Sequence, residues 1–189
     1  MYKQVFQRLW KLLINPAQAW KTIQSEPIEP RLHLSGFFYP LVGLAALMAF
    51  LHPFLIGDEV FKEMLSDGIR KGLLVFVSTV FGLLLSARIL DAVYARWFGW
   101  TGQLRKAEVL AAYALAPVLA VNVLTELMTE LFFLKIIYLY IFVIIWEAST
   151  HFYAVLPEQQ GKFTALSGGV VLIVPIILEK LIKLFLPGL

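Results

Sequence analysis

The chain has 189 residues, of which 60% are hydrophobic and 15% charged, with a formal net charge of +3 and no cysteine. Its mean hydropathy is +0.78, and the apolar residues fall in blocks too long for the core helices of a water-soluble domain, so lipid is the solvent that fits. These figures exclude disulfides, thiolate metal sites and cysteine nucleophiles, and the small cationic excess is no nucleic-acid footprint.

Residues Tyr2 to Ser25 open the chain. Val5, Phe6, Leu9, Trp10, Leu12 and Leu13 recur at helical spacing with Lys3, Arg8 and Lys11 between them, the pattern of a basic amphipathic helix lying in the headgroup plane. Asn15-Pro16 should end it and start a second short helix, because asparagine is a good N-cap and proline suits the first helical position. That helix presents Trp20 and Ile23, and Glu26-Pro27-Ile28-Glu29-Pro30 follows as a stiff linker. Charges and tryptophans in the first thirty residues argue against a signal peptide, so insertion is expected through the first span.

Five apolar segments follow, at about 35–56, 72–90, 109–128, 136–156 and 163–186. The expected fold is all-α: a polytopic membrane helix bundle of about five transmembrane helices, preceded by an N-terminal interfacial amphipathic helix. The expected organisation is 1–33 for the interfacial helices and linker and 34–189 for the transmembrane domain. Asp58 to Gly68 reads as a short acidic loop. Ser78, Gly82 and Ser86 are spaced by four on the second segment, and Ala112, Ala116 and Ala120 repeat that stripe on the third. Small residues at this spacing let helix backbones approach closely in lipid. Asp91 to Glu108, with Trp97, Gly99, Trp100 and Gly102, reads as an aromatic turn at the interface. The uncharged part of the fifth segment, Phe163 to Leu178, is short for a span. Two alternatives stand there: a full crossing extended by snorkelling Lys180 and Lys183, or a half-inserted hairpin.

With the N-terminus inside, ten Lys and Arg fall in the inner segments (Lys3, Arg8, Lys11, Lys21, Arg31, Arg88, Arg96, Arg105, Lys106, Lys162) and six in the outer ones (Lys62, Arg70, Lys71, Lys135, Lys180, Lys183). The positive-inside rule then places the N-terminus in the cytoplasm and the C-terminus on the far side of a bacterial or archaeal cytoplasmic membrane.

Ionisable groups within a bilayer are costly, and each is a functional candidate. Counted from Ile136, Glu147 falls near the midplane, with His151 one helical turn later. Arg88, Asp91, Tyr113, Glu147 and His151 are expected to form one polar cluster in the inner half of the bundle. Its role is open between a packing element with a protonated carboxyl and a pathway for protons or ions. The pair supplies only two ligands and His33 and His52 sit near opposite ends of the first span, so neither a metal nor another cofactor is expected. There is no H-E-x-x-H, no G-x-S-x-G and no P-loop, so no enzyme activity is expected. Lys3, Arg8, Trp10, Lys11, Trp20, Trp97 and Trp100 are the expected lipid-contacting residues.

Two stretches resemble the Yip domain family, the multi-pass membrane proteins named for interaction with Ypt/Rab GTPases, and its prokaryotic branch in particular. One is Asn15-Pro16-Ala17-Gln18-Ala19-Trp20-Lys21-Thr22-Ile23. The other is the glycine-containing basic turn from Gly99 leading into Ala112-Tyr113-Ala114-Leu115-Ala116-Pro117. The resemblance implies five spans with a cytoplasmic N-terminus and a role in membrane organisation or partner and lipid binding. The partners it implies are the bilayer and other membrane proteins or a second copy. A GTPase partner is not expected, because the chain lacks the long cytosolic N-terminal domain, and no nucleic acid is expected. The rival function is a small transporter or channel using Glu147 and His151, with Pro117 and Pro175 bending helices around a cavity.

Overall fold

A computed structural model describes residues 2–56 and 60–185. Asp58 and Glu59 of the expected acidic loop, and the end of the fifth segment at Leu186, lie outside the described residues. The chain is an all-α bundle in which five helical segments are long and apolar enough to cross a membrane: Pro30–Leu55, Phe61–Phe98, Leu104–Leu127, Glu130–His151 and Pro157–Phe185. The protein is an integral membrane protein.

Helix α1 (Tyr2–Ile14) and helix α2 (Pro16–Ser25) form a hairpin packed on one end of the bundle. The break between them is made as expected: the Asn15 side chain accepts from the Gln18 N–H at 3.0 Å, and Pro16 occupies the first turn, where its missing N–H costs nothing. The first crossing starts earlier than its apolar run, as α3 (Pro30–His33), a π-helical turn (Leu34–Phe38) and α4 (Tyr39–Ile56). Pro40 has no N–H for the Gly36 carbonyl, and the wider turn just before it absorbs that missing bond.

Helix α5 (Phe61–Phe98) corrects the expected turn at Asp91–Glu108. The helix runs through Tyr94 and Trp97, because only Gly99 and Gly102 adopt the left-handed conformation that ends it, both at φ +70°. The true turn is residues 99–103. Asp91 Oδ1 pins it by accepting from the Gln103 N–H at 2.7 Å. Asp91→Ala is expected to cost about 0.5–2 kcal/mol, measurable as a lower thermal midpoint of the detergent-solubilised protein.

The third crossing is split into α6 (Leu104–Ala114) and α7 (Ala116–Leu127), with the break at Leu115. Pro117 causes it, since it cannot donate to the Tyr113 carbonyl. This crossing is the most enclosed of the five. The fourth begins with a 3-10 segment (Thr129–Leu139) and continues as α8 (Tyr140–His151). It ends at His151, short of the expected Leu156, and Ala154 turns the chain at φ 52°. The fifth, α9 (Pro157–Phe185), is one continuous helix through Pro175, Lys180 and Lys183, which removes the half-inserted hairpin.

The small-residue stripe of α5 lies where close packing requires it. Ser78 and Ser86 are buried, and a Cβ added at Gly82 would lie 2.9 Å from the Pro175 ring on α9. On α9, a Cβ at Gly168 would meet the Phe142 ring at 2.5 Å. Glycine at these two positions sets the helix spacing.

Candidate functional site

The two motif stretches meet in space. Trp20, from α2, is fully buried, and its ring lies edge-on to Tyr113 of α6 at 5.7 Å between centroids. Trp20 Nε1–H donates to the Ile144 carbonyl of α8 at 2.8 Å. The expectation that Trp20 contacts lipid is therefore corrected. An indole buried in the bundle needs a partner for its N–H, and a main-chain oxygen of α8 supplies one.

Tyr113 is the hub of a polar network between α1, α2, α3 and α6. Arg8 Nη1 donates to the Tyr113 hydroxyl at 2.8 Å. The Arg8 guanidinium also grips the Glu26 carboxylate as a fork, Nη2 to Oε1 at 2.7 Å and Nη1 to Oε2 at 3.0 Å. His33, buried at the end of α3, has Nε2 3.1 Å from the Pro27 carbonyl and Nδ1 3.2 Å from the Tyr113 hydroxyl. A carbonyl only accepts, so Nε2 donates to Pro27, while Nδ1 faces the Tyr113 hydroxyl and lies 3.7 Å from Glu26 Oε2. Arg8 and His33 thus meet at the Tyr113 hydroxyl, and His33 carries the network on to Pro27. Phe37 stacks on Tyr113 at 4.5 Å and fixes its ring. Burial alone would lower the Arg8 pKa, but the Tyr113 oxygen and the Glu26 carboxylate outweigh it and the net shift is upward.

A cleft of about 340 Å³ opens over this network between α1 and α2, lined by Gln4, Gln7, Lys11 and Thr22 above Arg8, Glu26 and Tyr113. A second hollow of about 240 Å³ shares Gln4, Arg8 and Glu26 and reaches His33. The arrangement ties two amphipathic helices to the bundle through one bidentate ion pair. It contains no activated nucleophile, and among the described residues no three His, Asp or Glu side chains converge on a metal position.

The expected five-residue cluster is divided into separate groups. Tyr113 belongs to the network above. Glu147 and His151 are paired at 3.4 Å and partly exposed, at the end of α8 rather than at mid-depth. The depth was misplaced because the crossing starts in the 3-10 segment at Thr129, whose rise of roughly 2 Å per residue uses up length before Tyr140. Glu147 is four residues from the helix end, roughly 6 Å along its axis. Asp91 caps the 99–103 turn, and Arg88 is exposed on α5.

Of the remaining expected lipid contacts, Lys3, Trp10, Lys11 and Trp97 are exposed. Lys162 Nζ lies 4.3 Å from the Trp97 ring centre. Arg8 is turned inward to Glu26 and Tyr113. Trp100 is only partly exposed and sits in an aromatic cluster with Tyr94, Phe98, Tyr153 and Phe163, where Tyr94 and Ser167 share a 2.8 Å hydrogen bond. The sequence argument missed Glu26 and His33, which read as linker and span edge. The one usable signal was a carboxylate placed directly before Pro27, where the second short helix ends close behind a basic one.

Searches of curated proteins and of solved structures found no match. The family model described as the Yip1 domain matches residues 10–183. That range takes in Trp20 and Tyr113, the two residues through which α2 is locked to the spanning helices, and the chain belongs to the Yip1 domain family.

Proposed function

We propose that the protein is a non-enzymatic organiser of the membrane, acting on lipid packing through α1 in the leaflet on its N-terminal side. One observation carries this. Helix α1 has two apolar faces: Val5, Leu9 and Leu12 are buried against the protein, while Tyr2, Phe6, Trp10 and Ile14 are exposed, Trp10 at 65%. None of the described residues covers the second face, and Lys3 and Lys11 flank it with charges suited to anionic headgroups. The Arg8–Glu26 fork holds the helix in place, so insertion of its outer face would press on the leaflet as a wedge fixed to the bundle. The excess of Lys and Arg on this side favours the cytoplasmic leaflet. Other membrane proteins or a second copy are the partners that fit such a role, in a bacterial or archaeal cytoplasmic membrane.

The test is curvature sorting. Full-length protein reconstituted in giant vesicles should enrich in a pulled membrane tube over the flat membrane, and Phe6→Ser with Trp10→Ser should abolish the enrichment. Equal distribution of the wild type between tube and vesicle would rule the proposal out. A proton or ion pathway through Glu147 and His151 is the weaker reading, since that pair lies at a helix end and leaves the middle of the bundle without it.

A further inference from the structure

On the side opposite α1 the bundle is not closed. Two adjoining cavities, of about 340 and about 210 Å³, share Val75, Glu126, Lys135 and Glu179 and are walled by α4, α5, α7, the 3-10 segment and α9. The outer chamber is ringed by charge, and the inner one mixes polar and apolar side chains and reaches Leu115 at the break between α6 and α7. Among the described residues the charges at the mouth are unevenly matched. Glu179 pairs with Lys183 at 2.6 Å, and Glu126 takes His52 at 3.2 Å. Lys71 of α5 and Lys135 of the 3-10 segment both line the outer chamber, from two different elements, and neither has a carboxylate at ion-pair distance among the described residues.

We infer that this vestibule binds the phosphate of a phospholipid from the opposite leaflet, with Lys71 and Lys135 as the anion contacts. Two ammonium groups with no carboxylate partner among the described residues line one concave site and favour an anion, and the Lys183 pair offsets the Glu179 carboxylate at its mouth. The site lies at the ends of membrane-crossing helices, where lipid phosphates are the most abundant anions. Phe132, 67% exposed at the rim, and the apolar walls of Leu74 and Val75 suit the glycerol and upper acyl region of the same molecule. Lysines that merely snorkelled to the interface would spread around the bundle instead of converging on one chamber.

The experiment uses full-length, delipidated protein in detergent, with binding followed by native mass spectrometry. Phosphatidylglycerol is titrated against phosphatidylcholine, and glycerol 3-phosphate serves as the soluble source of the same phosphate ester. The wild type should retain phosphatidylglycerol, and Lys71→Gln with Lys135→Gln should weaken it at least about tenfold. Lys71→Arg with Lys135→Arg should keep binding, which separates loss of charge from loss of fold. Lys21→Gln, an exposed lysine of α2 on the other side, should bind as the wild type does. Equal retention by the glutamine pair, or no preference over phosphatidylcholine, would overturn the site. Binding of glycerol 3-phosphate as tight as that of the lipid would overturn the lipid source and assign the site to a soluble phosphate ester.

Discussion

Trp20→Ala is expected to destabilise the protein by about 3–5 kcal/mol, the largest loss of any single substitution considered for this chain. The side chain is fully buried between Tyr113 and Phe152, at 5.7 and 5.1 Å between ring centres. Removing it leaves a cavity at the junction of α2, α6 and α8 and takes a donor from the Ile144 carbonyl. The effect should not be confined to α2, because Tyr113 loses the ring that flanks it and Arg8 and His33 both bond to Tyr113. The check is thermal unfolding in detergent, combined with limited proteolysis at the linker from Glu26 to Pro30. A lowered midpoint together with faster cleavage there is the expected result. An unchanged midpoint would show that α2 contributes nothing to the bundle. Trp20→Phe should recover most of the packing and leave only the cost of the lost hydrogen bond, about 0.5–1.5 kcal/mol.

Gly82→Val is expected to cost about 1–3 kcal/mol or more, by forcing α5 and α9 apart. A Cβ at Gly82 would lie 2.9 Å from Cβ and Cγ of Pro175 and 3.0 Å from its Cα. A main-chain atom on the far side of the contact cannot rotate away, so the helices themselves have to shift. Gly169 on α9 provides the contrast. Nothing lies within 4 Å of a Cβ built there, so Gly169→Ala should stabilise the helix by about 1 kcal/mol through propensity alone. Opposite signs for two glycine substitutions in spanning helices would identify close approach at Gly82, rather than helix propensity, as the cause. Thermal midpoints of the two variants measured side by side decide it.

The crossings were legible because long apolar runs between charges have few other solutions, and Asn15-Pro16 was legible because capping is a local interaction. The stripe of Ser78, Gly82 and Ser86 pointed correctly to a close helix contact, without indicating that its partner is Pro175. What could not be read was the pairing of distant side chains. Arg8 meets Glu26 eighteen positions away and Tyr113 one hundred and five positions away, and no periodicity in α1 distinguishes an arginine turned inward from one facing headgroups. Trp20 was misjudged for a related reason. An indole beside a basic helix is an interfacial signature on average, but burial against α8 overrides that average once its N–H finds a carbonyl. The depth of Glu147 was missed because its crossing changes helical form at Tyr140, and rise per residue is not written in hydropathy. The polar vestibule was missed for the opposite reason: His52, Glu126, Lys135 and Glu179 lie near the ends of four different segments and look, one by one, like ordinary solvated ends.

The charges that bound the long helices also carry a message about the membrane. In α5 the uncharged stretch lies between Lys71 and Arg88, and in α9 between Lys162 and Glu179. Each stretch spans roughly 24 Å at 1.5 Å per residue, against a hydrocarbon thickness of about 30 Å for a typical bilayer. Two adjacent helices with the same shortfall cannot both correct it by tilting, since tilt shortens their reach further. Snorkelling of the bounding lysine and arginine side chains covers part of the difference, and an inward shift of the surrounding lipid covers the rest. A ring of compressed lipid then surrounds every copy, and its elastic cost falls when copies share a ring or move to a thinner region of membrane. The short helices thus give the protein a reason to cluster and to sort by bilayer thickness that requires no contact between protein surfaces.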